Sequence, residues 1–254
     1  MERIEGIDTA GAVPAATVII ARDGPDGLEV LVIERAKGMG FAGGAVAFPG
    51  GKVDPTDRPE GPAFAGFSGL AEADAAARVT AAREAFEETG VLLSVGPPVP
   101  EAERARLRPL SDGHELPFGR LLEEVGHWLS AEALRPFARW IPPVGLHKRF
   151  DTRFYLARLP EGEAHLADGG EAVHARFARP ADLVAEAEAG AISLLFPTRC
   201  NIARLAQFES VAALLADPTP APVIQPRIEG EWLTIPEGIG YPWRAERWEA
   251  VRRS

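Results

Sequence analysis

Two short apolar runs rich in β-branched residues, 15–21 and 28–34, flank the polar, glycine-bearing stretch 22–27. That pattern predicts a β-hairpin. A glycine-studded connection from Gly38 to Gly44 leads through the apolar stretch 45–48 into Pro49-Gly50-Gly51, a sharp chain reversal. From Pro55 to Gly69 no period is visible, and the mixture of Pro, Gly, Asp and Phe reads as an irregular insertion. Residues 71–89 have the composition of a helix, with Ala73, Ala76, Ala77, Val79, Ala82, Ala85 and Phe86 available for packing and Gly90 as a stop. Val91-Leu92-Leu93 is expected to return to a sheet. Two or three short helices are expected between 101 and 138, bracketed by prolines and read as an inserted cap. Residues 140–143, 151–157 and 173–177 are further strand candidates, and helices are expected at 180–189 and 198–216. No internal repeat is visible, and strands mixed with helices predict an α+β protein: a mixed sheet covered by helices in one domain.

Composition narrows the function classes. Twenty-seven Lys and Arg against 37 Asp and Glu give a net charge of −10, a field that opposes a DNA or RNA partner. A small phosphorylated ligand stays compatible, because a bound divalent cation reverses the local sign of an acidic site. The single cysteine, Cys200, excludes an intramolecular disulfide and gives no sign of a Cys-based zinc site. No apolar run nears the ~18 residues that would cross a bilayer, and the acidic start of the chain is unlike a signal peptide. A cytoplasmic protein without a membrane partner is the expectation.

The chemistry concentrates in the helix 71–89. Glu84, Glu87 and Glu88 stand at i, i+3 and i+4, so three carboxylates share one turn, where each like-charged pair costs about 0.2–0.5 kcal/mol. Arg83, four residues before Glu87, is one compensation; a hard divalent cation, Mg²⁺ or Mn²⁺, is the other. Upstream, Phe48-Pro49-Gly50-Gly51-Lys52-Val53-Asp54 forms a tight glycine turn that lets backbone groups approach a ligand.

Together these two pieces resemble the Nudix box, G-x5-E-x7-R-E-U-x-E-E-x-G-U with U apolar, carried here by Gly51 and by the run from Arg83 to Val91. Gly51 and Arg83 are 32 positions apart where the uninterrupted box has 14, so 18 residues are inserted. Counted back from Arg83, the box's first glutamate falls on Ala75, with Glu72 and Asp74 nearby. The interruption and the glycine turn are similar to the Nudix branch that contains peroxisomal coenzyme A diphosphatases. That branch also carries a signature arginine, and its position here is Gly40, although Gly44 and Phe48 fit.

The resemblance implies a Nudix-type α/β/α sandwich over residues 12–216, with insertions at about 55–72 and 97–138, and a C-terminal extension, 217–254, packing on the domain or a partner. It implies a pyrophosphohydrolase that uses Mg²⁺ or Mn²⁺ to split a nucleoside diphosphate conjugate, with coenzyme A or acyl-CoA the first substrate to test. ADP-ribose, NADH, dinucleoside polyphosphates and a non-catalytic nucleotide-binding module are the alternatives. By matching positions, Gly50 (through its carbonyl), Glu84, Glu87 and Glu88 are the metal ligands, and Glu84 binds a second metal or positions the water. Arg83 orients the carboxylates, and Glu171, with Asp168 as second choice, supplies a further acid. Arg35 and Arg153 are candidate clamps for the diphosphate, beside Gly51 in the turn. A homodimer is the family's usual assembly. His147, Lys148 and Arg149 read as solvated surface; His114, His127, His165 and His174 read as surface or satisfied core groups; Trp140, Phe154 and Phe177 read as core aromatics.

If the resemblance holds, Glu87→Gln and Glu88→Gln each lower turnover strongly while circular dichroism shows the fold retained; full activity in both variants would refute their assignment.

Overall fold

A computed structural model of the chain describes residues 7–35, 44–144, 149–163 and 172–253, with Arg35, Ala172, Val173, Ala250, Arg252 and Arg253 described in their backbone only. Glu171, Asp168, His147, Lys148, His165 and Gly40 lie outside the described residues.

The hairpin forms from β1 (Val13–Gly24) and β2 (Gly27–Arg35), paired antiparallel with Gly24 opposite Gly27. Next come β3 (Ala45–Ala47), β4 (Gly50–Lys52), the two-residue β5 (Phe64–Ala65) and the long helix α1 (Glu72–Thr89). Helices α2 (Glu101–Asp112) and α3 (Phe118–Glu124) lead to β6 (Leu129–Ser130), β7 (Arg135–Trp140) and β8 (Phe150–Arg158). The chain continues through β9 (Ala172–Ala178), α4 (Pro180–Glu188), β10 (Ser193–Leu194), α5 (Phe196–Leu205) and α6 (Val211–Ala216). The last part holds β11 (Val223–Ile224), β12 (Arg227–Glu229), β13 (Trp232–Thr234), β14 (Ala245–Arg247) and α7 (Trp248–Arg253).

The main sheet is mixed and runs β10-β3-β2-β1-β8-β7-β11, with β4 also on β1 and β9 also on β2. Its central strands are apolar on both faces, so alternate residues enter two different cores. Ala16, Val18, Ile20, Leu31 and Tyr155 pack toward α1, α2 and α3. Ile19, Ala21, Val30, Val32, Phe154 and Leu156 pack toward the opposite layer, built from α4, α5, α6 and the C-terminal segment. The result is the expected α/β/α sandwich.

Helix α1 is buried on nearly every side, because the sheet covers one flank and the inserted helices cover the other. Its alanines make that possible: small side chains let neighbours approach from all directions. Leu107, Phe118, Leu121 and Leu122 therefore belong to the core under α1. The segment expected as an inserted cap is packed into the layer that covers α1.

Three other expectations are corrected. Val91, Leu92 and Leu93 are fully buried but form no strand; Ser94 N–H donates to the Leu92 carbonyl, and the Leu92 amide donates to Glu163 at 3.1 Å. The strand expected at 140–143 instead ends at Trp140, since Pro142 and Pro143 have no N–H for a ladder. The helix expected at 198–216 is two helices. Between them, Glu209 accepts from the Leu28 amide, Asp23 accepts from the Val211 amide, and Ser210 caps the second helix. The hairpin turn thus bends the chain at that point.

The C-terminal segment packs on the sheet. β11 extends the edge beside β7, and Leu233, Ile235 and Tyr241 complete the second core. The Tyr241 hydroxyl and the Trp140 indole N–H both donate to Asn201, at 2.8 and 3.3 Å. No described helix is long and apolar enough to cross a membrane.

Because Leu233 is only 3 % exposed, Leu233→Ala is expected to cost about 2–5 kcal/mol of stability. Urea unfolding checks this, and a loss below 1 kcal/mol would mean that the tail adds nothing to the core.

Candidate active site

The site is built where the C-terminal half of α1 crosses β4. Gly50 and Gly51 pair with Thr17 and Ala16 of β1, and the Pro49 carbonyl accepts from the Val18 amide. The turn is tight on both sides. A Cβ on Gly50 would lie 2.4 Å from the Ala16 carbonyl oxygen, and one on Gly51 would lie 2.2 Å from Glu84 Oε1. Glycine at 51 is what lets a carboxylate rest directly on the turn.

Glu84 and Glu88, one helical turn apart, both face this bend. Glu88 Oε2 accepts from the Gly50 amide at 2.8 Å. The Gly50 carbonyl belongs to the same turn. Glu87 differs. Its Oε2 accepts from Arg83 Nη1 at 2.6 Å, its Oε1 accepts from the Ser111 hydroxyl at 2.7 Å, and it is buried.

Arg83 is the hub of the cluster. Its Nε and Nη2 donate to the two oxygens of Asp57 at 2.8 and 3.0 Å, and its Nη1 also lies 2.9 Å from Glu84 Oε1. Nη2 further reaches the Lys52 carbonyl at 3.2 Å. Burial works against the guanidinium charge, but the Asp57 fork and the Glu84 and Glu87 carboxylates outweigh it, so Arg83 holds its proton even more firmly than a free arginine. Asp57 is 1 % exposed and also accepts from the Thr80 hydroxyl and the Asp54 amide, at 2.8 and 2.9 Å.

Asp57 is the residue that counting back from Arg83 overlooked. Counted forward from Gly51, five residues precede it, so it occupies the box's first acidic position, with aspartate for glutamate. The 18 extra residues fall between Asp57 and Arg83 and leave the acid paired with the arginine. Forward counting alone would have found it. Ser111 and Arg108, both from the inserted helix α2, carried no comparable signal.

Charge decides what the site can hold. Three carboxylates, Asp57, Glu84 and Glu87, share the one guanidinium of Arg83, while the Glu88 carboxylate accepts from the Gly50 amide. The imbalance falls on Glu84, whose carboxyl is pushed up to about 7 by burial and by Glu87, against the pull of Arg83. Among the described residues no three His, Cys, Asp or Glu side chains form a ready-made metal cage. Two carboxylates and a backbone carbonyl around a glycine turn are nevertheless a hard-oxygen set of the kind Mg²⁺ accepts, with waters and substrate phosphates as its other ligands. The residues present fit a divalent cation.

The remaining candidates separate by face. Arg153 is in register with Ala16, which is in register with Gly51, so Arg153 shares the face of the site at roughly 10 Å, two strand spacings, from the turn. Trp140 and Phe154 pack in the opposite core and cannot stack on a ligand at this turn. Phe177 lies under the Arg22 guanidinium, 3.9 Å from its centre. His127 is a satisfied core group between the Ser94 hydroxyl and the Pro97 carbonyl. Arg149 is buried and donates to the Asp8 and Pro142 carbonyls, which corrects the solvated-surface reading for that residue.

Replacing Asp57 with asparagine removes one partner of a buried ion pair, a change that costs about 3 kcal/mol. Chemical denaturation should show that loss, together with weaker turnover as Arg83 and Glu84 shift; wild-type stability would contradict the fork.

Comparison with known proteins agrees with the geometry. The family model described as the NUDT19 Nudix domain matches residues 62–205, more than half of the chain. The acyl-coenzyme A diphosphatase NUDT19 of Homo sapiens is 27% identical over 237 residues, covering 74% of this chain and 63% of that protein. The putative nudix hydrolase 7 of Caenorhabditis elegans is 28% identical over 178 residues, covering 70% and 56%. The chain therefore spans less than two thirds of the length of these relatives. The crystal structure of a NUDIX hydrolase from Alicyclobacillus acidocaldarius superposes with a TM-score of 0.65 at 28% identity, over 81% of this chain and 96% of that one. With its interrupted box folded around Arg83 and its sandwich shared with a solved relative, the chain belongs to the Nudix hydrolases, in the family of the NUDT19 Nudix domain.

Proposed function

We propose that this protein is a Mg²⁺- or Mn²⁺-dependent pyrophosphohydrolase that cleaves the diphosphate of a nucleoside diphosphate conjugate, with coenzyme A or acyl-CoA as the first candidate substrate. The observation that carries the reading is the crowding of acidic groups beside the Gly50–Gly51 turn: Glu88 on the Gly50 amide, Glu84 against Gly51, and one guanidinium shared by Glu84, Glu87 and Asp57. A diphosphate adds negative charge of its own and is repelled from that cluster unless a cation joins it.

In this reading Glu84, Glu88 and the Gly50 carbonyl hold the cation, and Glu87, fixed by Arg83 and Ser111, completes the acidic surround. When bound, the cation supplies charge neutralisation on phosphate oxygens and acidifies a water. Glu84 orients the attacking water from its place against Gly51. Arg83 keeps Glu84 and Glu87 apart and in place through the Asp57 fork. Arg153 reaches toward the diphosphate from the same sheet face, and Arg35 and Glu171 are proposed as further contacts. The intact carboxylates disfavour a module that only binds its nucleotide.

The preference for coenzyme A conjugates draws on the acyl-coenzyme A diphosphatase name of the human relative. One feature of the chain favours a different conjugate: Gly40 stands where the coenzyme A signature carries arginine. ADP-ribose, NADH and dinucleoside polyphosphates are the second reading.

The test is incubation with Mg²⁺ or Mn²⁺ and a panel of coenzyme A, an acyl-CoA, ADP-ribose, NADH and a diadenosine polyphosphate, with products separated chromatographically. Coenzyme A should yield 3′,5′-ADP and 4′-phosphopantetheine, and EDTA should abolish the reaction. Faster cleavage of another conjugate selects the second reading, and no metal-dependent cleavage across the panel defeats both.

A further inference from the structure

The C-terminus of α1 carries the acidic residues yet has no basic residue in its last turn. A helix end leaves its final carbonyls without partners and concentrates partial negative charge there. Here Glu87 and Glu88 add full negative charges at the same end, which sets both against the dipole.

The inserted helix α2 answers this from outside. Arg108 Nε donates to the Glu87 carbonyl at 2.6 Å, and its Nη2 donates to the Glu88 carbonyl at 2.7 Å. Arg104 Nη1 donates to the Gly90 carbonyl at 3.2 Å and to Glu163 at 2.8 Å. The Ser111 hydroxyl donates to Glu87 Oε1. Residues 104, 108 and 111 are spaced i, i+4 and i+7, so they form one stripe of α2, and all three are buried. Leu107, fully buried in the core under α1, anchors the same helix.

We propose that α2 is a positioning clamp: Arg108 and Ser111 set the last turn of α1 so that Glu88 meets the turn at Gly50 and Glu87 holds Arg83, and thereby tune metal affinity and turnover without touching substrate. The inference rests on the metal-dependent reading above. It gives the insertion between the box and β7 an indirect part in the reaction, through the placement of Glu87 and Glu88. Arg108 satisfies two helix-end carbonyls with one planar fork, a geometry that the single ammonium of lysine reproduces only in part.

The experiment compares wild type with Ser111→Ala, Arg108→Lys, Arg108→Met and, as a structural control, Arg78→Met. Arg78 ties α1 to the carbonyl of Ala131, away from the acidic turn. Three quantities are read: Mn²⁺ affinity without substrate, from the electron paramagnetic resonance of the free ion; kcat and KM separately on the best conjugate; and Tm. Residues that orient metal ligands typically change affinity or activity about 10- to 100-fold. Ser111→Ala and Arg108→Met are expected to weaken Mn²⁺ binding and lower kcat about tenfold with KM little changed, Arg108→Lys to recover part of both, and Arg78→Met to lower Tm alone. Unchanged Mn²⁺ affinity and kcat in Ser111→Ala and the folded Arg108 variants would overturn the clamp, as would equal losses in Arg78→Met. Should Arg108→Met fail to fold, Ser111→Ala and Arg108→Lys decide. A wild-type protein that neither binds Mn²⁺ nor cleaves any conjugate defeats the functional reading itself, a result distinct from active wild type with indifferent variants.

Discussion

One guanidinium organises the acidic end of α1. Arg83 lies among Asp57, Glu84 and Glu87, each within 2.9 Å of one of its nitrogens. Without it, carboxylates brought together in a buried space would repel one another or take up protons, since burial of a charge is costly unless it is paired. With it, their orientations are defined, and three carboxylates share one positive charge. The bidentate Asp57 contact matters because it fixes the plane of the fork, leaving Nη1 to serve Glu84 and Glu87 together.

That hub explains the surrounding architecture. The glycine pair at 50 and 51 allows α1 to sit so close to β4 that the Glu84 carboxylate occupies the space a side chain would fill. The alanines of α1 allow the same closeness on its other flanks, where the sheet and the inserted helices press against it. Asp57 comes from the loop after β4 and Ser111 from α2, so segments distant in the chain supply the partners of one helical turn. The opposite core, with the C-terminal segment built into it, forms the other layer and leaves that turn to the α1 side.

Several elements are legible in the sequence alone. The hairpin was clear because β-branched runs flanked a polar, glycine-bearing turn, and α1 because a long run of helix formers ended in Gly90, which adopts the left-handed conformation at φ 71°. Val91-Leu92-Leu93 was misread because a short apolar run looks alike whether it joins a sheet or simply fills a core. The 198–216 segment was misread because helix propensity does not register the pull of Asp23 and Leu28 on the residues between two helices. Asp57 was missed because an insertion of unknown position gives different answers when counted from its two ends.

By itself the sequence determined the chemistry: which acids share a turn, that glycine precedes them, and that the chain carries the Nudix pattern, because identity and spacing along one helix or one turn are local properties. Tertiary structure alone decided how those acids divide between the glycine turn and the arginine, and that Arg108 and Ser111 complete the set. Arg108 and Ser111 reach Glu87 and Glu88 across about 20 or more positions, and contacts of that range exist only after packing against a common core has offset the entropy of closing the intervening loops.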